Sequence, residues 1–238
     1  MEQIYTIPVN EAFDAVKEHG ATTCPICTLY HTLEDNELDI ILGASMMEPD
    51  IRMRTNAEGF CLDHFQKMAG RRNRLSLALM LESHLAAVEE LVADGILYSP
   101  EKAAKKVGEL EHSCYLCNRI EYSLSRMIDT VVYLWNTDPA FQTKLAEQPR
   151  FCLPHFRRLT EAGKNRLSKR AFPQYYSGVK SVMDRYLTKL QGDVSWFCKK
   201  FDYRYDAEPW YDAKDAIERT IAYLCAQDFP SKEGRKTK

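Results

Sequence analysis

The sequence predicts an all-α protein, built as two tandem helical repeats of about 90 residues and a C-terminal helical extension. Three observations carry this. Apolar residues recur at spacings of three and four, and the alternation of a half-buried strand is scarce. Two cysteine-rich sets recur at matched offsets: Cys24 and Cys27 precede Cys61 and His64, and Cys114 and Cys117 precede Cys152 and His155. Between the halves of each set lie 33 and 34 residues, with Pro49 and Pro139 each 22 positions beyond the CxxC. Further along, AGRRNRLS from Ala69 answers AGKNRLS from Ala162.

The elements follow in order. A short first helix is expected to start at the cap Asn10, bury Phe13 and Val16, and stop at Gly20. Its counterpart starts at Ser99-Pro100, a cap followed by a first-turn proline, and buries Ala103, Val107 and Leu110. A longer helix follows each CxxC. The first carries Leu33, Ile40 and Ile41 on one face, and the second carries Ile120, Leu124, Met127, Ile128 and Val131. Glu48-Pro49 and Asp138-Pro139 break these helices. Short segments lead to each CxxH, whose two residues share a face if they occupy the opening turn of a helix that Gly70 or Gly163 closes. The boundaries are therefore 1–98 and 99–192 for the repeats, 193–230 for an aromatic-rich strap and helix, and 231–238 for a disordered tail.

Each CxxC or CxxH presents two soft ligands from one turn of backbone, and two such turns complete a tetrahedron around zinc. The expected metal ligands are Cys24, Cys27, Cys61, His64, Cys114, Cys117, Cys152 and His155, two zinc ions per chain, with each repeat pinned by its own CxxC and CxxH. Three cysteines and one histidine suit zinc better than an iron-sulfur cluster, which usually takes four cysteines. Disulfides would fit the even count, but the start of the chain carries no secretion signal. A dithiol redox role lacks the βαβ context in which thioredoxin-type motifs sit. No catalytic set of nucleophile, base and acid is legible.

Outside the motifs, His31 reads as a solvated helix residue, because the second copy has Glu121 at that place. His19 and His112 do not match each other, and His84 reads as a surface or satisfied core residue of a long helix. Cys198 shares core spacing with Val194 and Phe201, and Cys225 with Ile217, Ile221 and Leu224, so both are expected in the core. Basic residues cluster after each CxxH: Lys67, Arg71, Arg72 and Arg74, then Arg157, Arg158, Lys164, Arg166, Lys169 and Arg170. They would serve phosphate contacts if they shared a face; otherwise they are a solvated surface.

Composition sets the limits. Among 238 residues, 45% are hydrophobic, enough for a packed core, and 32 basic against 34 acidic residues leave a net charge of −2, with no global pull toward nucleic acid or anionic lipid. No apolar run approaches the ~20 residues that span a bilayer, so a cytoplasmic protein without membrane partners is expected.

The two CxxC…FCxxH units, with KFDYR at Lys200–Arg204 and EPW at Glu208–Trp210, resemble a bacterial family, domain of unknown function 6062, along most of the chain. The resemblance implies that the eight cysteine and histidine positions and the C-terminal motif are the family's own, and it implies a bacterial cytosolic origin. It transfers no reaction. The leading functional reading is a metal-stabilised helical module that binds a protein partner. The alternatives are a thiol-based redox or metal sensor, and nucleic-acid binding through the basic segments.

Overall fold

The computed structural model describes residues 3–19, 23–93 and 99–226. Among them there are eleven α-helices and no strand: α1 (Thr6–His19), α2 (Pro25–Leu42), α3 (Pro49–Glu58), α4 (Leu62–Gly70), α5 (Arg74–Val92), α6 (Pro100–Glu111), α7 (Tyr115–Thr137), α8 (Pro139–Ala146), α9 (Leu153–Arg166), α10 (Phe172–Lys199) and α11 (Ala216–Cys225). The all-α reading holds. No helix of the described residues is long and apolar enough to cross a membrane.

Local chemistry explains most helix boundaries. Ser99 caps α6 by accepting from the Lys102 amide, with Pro100 in the first turn. Asp138 caps α8 in the same way through the Ala140 amide, with Pro139 behind it. Pro49 opens α3. The first helix starts earlier than expected, at Thr6, and Asn10 is an interior residue whose Nδ2 donates to the Thr6 carbonyl. Val16, as a side chain, and Gly20 lie outside the described residues, as do residues 227–238 and 94–98, where the tail and the boundary between repeats were expected.

The helices fall into two compact units that cut across the 90-residue intervals. One holds the segment up to Leu29 and that from Ser125 onward; the other runs from Tyr30 to Leu124.

In the Tyr30–Leu124 unit, α3, α4 and α6 pack on α5. The core joins Leu38, Ile41 and Leu42 of α2 to Met68, Leu77, Met80, Leu116 and Ile120. Ile40, expected on that face, is 48% exposed, and Glu34 and Glu37 are buried instead. Glu37 is matched by Arg119 of α7, whose Nε and Nη2 donate at 2.6 and 3.0 Å. A fork of this kind satisfies a carboxylate that would otherwise be costly to bury. Residues Ala103, Val107 and Leu110 of α6 are only half-buried.

In the other unit the long α10 is the spine against which α8, α9 and α11 pack. Met127, Ile128 and Val131 of α7 are buried there, as the spacing predicts. Gly163 does not close a helix: α9 continues to Arg166, and Gly163 is buried where a Cβ would collide with the Tyr175 ring. Glycine is needed for that close approach. The KFDYR and EPW segments fold around Lys200. Its Nζ donates to the carbonyls of Tyr205, Asp206 and Glu208 at 2.7, 3.1 and 2.7 Å and lies 5.5 Å from the Trp210 ring centroid. Trp196 Nε1 donates to the Pro209 carbonyl. Cys198 and Cys225 are exposed, against expectation, because their apolar neighbours Phe201, Ile217 and Leu224 also face outward.

Candidate metal centres

All four ligand pairs are made in the same way. Cys24, Cys61, Cys114 and Cys152 stand immediately before α2, α4, α7 and α9, and their carbonyls accept from the amides of Thr28, Phe65, Asn118 and Phe156. The second residue of each pair, three positions on, therefore lies in the opening helical turn. Each pair looks out from a helix N-terminus, where unpaired amides and the helix dipole favour thiolate.

The structure brings the eight residues into two clusters, with the ligand atoms of each within 4.8 Å of one another: Cys24, Cys27, Cys152 and His155, and Cys61, His64, Cys114 and Cys117. This corrects the expectation that each repeat is pinned by its own motifs. Each cluster takes its CxxC from one CxxC…CxxH set of the sequence and its CxxH from the other, so the inner pairs along the chain meet each other and the outer pairs meet each other. The outer cluster lies in the unit formed by the two chain ends, and the inner one in the Tyr30–Leu124 unit.

A tetrahedral zinc ion with bonds of ~2.3 Å to sulfur and ~2.0 Å to nitrogen sets ligand edges of about 3.8 Å between sulfurs and about 3.6 Å from sulfur to nitrogen. In the outer cluster Cys27 Sγ and Cys152 Sγ are 3.7 Å apart, and His155 Nδ1 lies 3.7, 3.4 and 3.0 Å from the sulfurs of Cys24, Cys27 and Cys152. In the inner cluster Cys61 Sγ and Cys117 Sγ are 3.9 Å apart, and His64 Nδ1 lies 3.2, 3.3 and 3.4 Å from the sulfurs of Cys61, Cys114 and Cys117. The sulfur–sulfur edges match a zinc sphere, and the sulfur–nitrogen edges run from 3.7 Å down to 3.0 Å, a contracted version of it. They are far from the ~2.05 Å of a disulfide, and all the cysteines are free.

The electrostatics point the same way. Burial raises the Cys24 thiol, but hydrogen bonds from Cys152, Cys27 and His155 outweigh it and hold it well below the usual range. Cys27 is driven far up, first by its sulfur contacts with Cys152 and Cys24, and by burial. In the inner cluster, burial is overcome at Cys114 by the His64 hydrogen bond, which brings the thiol to about 6, while burial and the neighbouring Cys114 push Cys117 up. One thiolate per cluster is favourable, and the next repels it. A divalent cation removes that repulsion, so the donor set fits a metal ion.

Behind the inner cluster stands a residue that the sequence reading missed. Glu34 is buried, with Oε1 3.3 Å from His64 Nε2 and 2.7 Å from Lys67 Nζ. Burial lowers the His64 pKa, but Cys114 and Glu34 outweigh that and lift it to about 10. With Nδ1 turned to the sulfurs, the Glu34 carboxylate stands beside Nε2, the side on which a metal-bound imidazole usually meets an acceptor, at the distance but not in the alignment of a hydrogen bond. The available signal was an acidic residue on the α2 stripe that otherwise carries Leu38, Ile41 and Leu42. Gly59 is the second such residue. At φ 59 it ends α3, and its carbonyl accepts from the Tyr115 amide at 3.0 Å, which sets the CxxH beside the CxxC. A Cβ there would press on His84 and Leu110 at 3.2 Å.

The remaining candidates stand apart from the clusters. His84 Nδ1 is 3.0 Å from the Asn56 carbonyl, His112 is exposed, and His31 is half-buried rather than solvated. Six of the ten basic residues after the CxxH motifs meet acids or protein oxygens: Lys67 with Glu34, Arg71 with Asp35, Arg157 with Glu161, Arg166 with Asp129, Arg74 with the Ala69 carbonyl and Arg158 with the Ser125 hydroxyl. No curated protein and no solved structure matches the chain. The two CxxC and two CxxH motifs and the Lys200-centred C-terminal segment fall within a match to the family of unknown function DUF6062 over residues 1–231, and the chain belongs to that family.

Proposed function

We propose that the protein is a cytosolic zinc protein whose two Cys3His centres are structural, and that it works by binding a protein partner. The observation that carries the reading is the ligand count. Each cluster offers four protein ligands at tetrahedral spacing, three of them thiolates, which is the donor set of a closed zinc site. A sphere filled by protein has no position for water or substrate, so the ions hold helices rather than perform hydrolysis. Zinc is favoured over iron by the imidazole in each set.

A protein partner is supported by aromatic side chains turned outward beside the Lys200 knot: Phe201 is 77%, Tyr203 84% and Tyr211 68% exposed. Rings of this kind combine apolar area with a polar tip and are common in protein interfaces. Nucleic-acid binding is less well supported, because four of the ten basic residues that would meet phosphate, Lys67, Arg71, Arg157 and Arg166, are already paired with acids. Elemental analysis of protein purified without chelator tests the metal, with about two zinc ions per chain expected. Affinity capture with wild-type protein and with Phe201→Ala/Tyr203→Ala tests the partner. Less than one ion per chain would sink the zinc reading, and an unchanged capture profile would sink the assignment of this surface.

A further inference from the structure

The two centres differ in one respect that bears on chemistry. In the outer cluster Cys24 is 0%, Cys27 8%, Cys152 1% and His155 5% exposed. In the inner cluster His64 and Cys114 are equally buried, but Cys61 is half-buried and Cys117 exposed. The two accessible cysteines share one edge of the tetrahedron, with their sulfurs 3.9 Å apart, and they belong to different segments: Cys61 stands just before α4 and Cys117 lies in the first turn of α7. The corresponding edge of the outer cluster, Cys27 to Cys152, is as short at 3.7 Å but has no face to solvent. Separation does not distinguish the two centres; access does.

Resting on the zinc reading above, we propose that the Cys61–Cys117 edge is an oxidative modification site, at which hydrogen peroxide converts the inner centre to a disulfide and releases its zinc. The exposed Cys117 sulfur attacks a peroxide oxygen; the O–O bond breaks, one water leaves after protonation, and Cys117 becomes a sulfenic acid. Cys61 attacks that sulfur, the S–O bond breaks, and a second water leaves. Two thiolates, one hydrogen peroxide and two protons give one disulfide and two waters. The two electrons pass from sulfur to peroxide, and zinc stays divalent throughout. Stripped of two of its four ligands, the ion dissociates, and the sulfurs need only draw together by roughly 2 Å to reach disulfide length. The outer centre keeps its ion because no oxidant reaches its sulfurs.

The test uses the full zinc-loaded chain with Cys198→Ser and Cys225→Ser, so that exposed thiols outside the centres do not consume oxidant. Zinc is counted first by elemental analysis. Hydrogen peroxide is then added, zinc release is followed with a chromophoric chelator, and disulfides are mapped by peptide mass. One ion is expected to leave at least about tenfold faster than the other, with Cys61–Cys117 as the product and Cys24, Cys27 and Cys152 still reduced. Two ions released together, none released, or a Cys114–Cys117 product each overturn the proposal and leave the zinc reading intact. A chain without metal overturns both.

Discussion

The pairing of the motifs is open to a decisive perturbation, because the nested and sequential arrangements predict opposite results from double variants. In the structure Cys24 and Cys152 share one cluster, and Cys24 and Cys61 belong to different ones. Cys24→Ser/Cys152→Ser should therefore keep one zinc ion per chain, and Cys24→Ser/Cys61→Ser should keep none. Stability should follow the same order. The outer clamp joins residues 125 apart and the inner one residues 50 apart, and closing loops of these lengths is worth about 4 to 5 kcal/mol each by the chain-entropy relation for cross-links. For a chain of this size 1 kcal/mol shifts the melting temperature by about 2–4 °C, so loss of one clamp should cost on the order of 10–20 °C and loss of both about twice that. Elemental analysis and thermal melts of the two double variants, side by side, are the assay. If Cys24→Ser/Cys61→Ser kept one ion and Cys24→Ser/Cys152→Ser kept none, the nested pairing would be refuted.

Glu34→Gln should weaken the inner centre alone by about 10- to 100-fold in zinc affinity, read by competition with a chelator of known affinity. The same residue gives a pH signature: burial raises its pKa, but His64 and Lys67 outweigh this and hold it at about 2. A depressed carboxyl contributes stability that is full above its ordinary value of 4.5 and is lost as the pH falls toward 2, so melts of wild type and Glu34→Gln should converge across that window. Gly163→Ala, which drives a methyl into Tyr175, should cost about 1–3 kcal/mol in denaturant unfolding, whereas Gly70→Ala, with open space at its Cβ, should stay within about 0.5 kcal/mol. A thiol reagent should label Cys198 and Cys225 rapidly in the native zinc-loaded protein and release no metal; slow labelling of both would contradict their exposure.

The motifs were legible because they are local. CxxC and CxxH put two ligands into one turn whatever the rest of the chain does, so all eight candidate ligands appear in the clusters. The Ser99 cap, the helix break at Asp138-Pro139 and the buried α7 face were legible for the same reason. The pairing was not. Equal spacing makes the halves of one repeat look like natural partners, but which helix N-termini meet is a tertiary matter, and each CxxC fits either CxxH chemically. Cys198 and Cys225 misled in a related way: a periodic apolar face shows that a helix is amphipathic, not that another element covers it. Glu34 was missed because a lone acid on an apolar stripe gains its meaning only from His64, which the sequence places 30 positions away.

The nesting of the clusters also orders events in time when the chain is made from its N-terminus. Cys24 and Cys27 leave the ribosome first, followed by Cys61 and His64, and these four form a complete but wrong donor set. The proper partner of His64, Cys114, is 50 residues downstream, roughly 3–10 s at ordinary synthesis rates. Through that interval an available zinc ion should be captured by the wrong set, and the correct inner centre must win it back by ligand exchange once α7 emerges. Chains refolded with zinc from the outset should therefore reach their final state more slowly than chains given zinc after collapse, and equal rates would count against such a trap. The clamp that joins Cys24 and Cys27 to Cys152 and His155 is then the last to close, and closes only on a chain that has been made past His155.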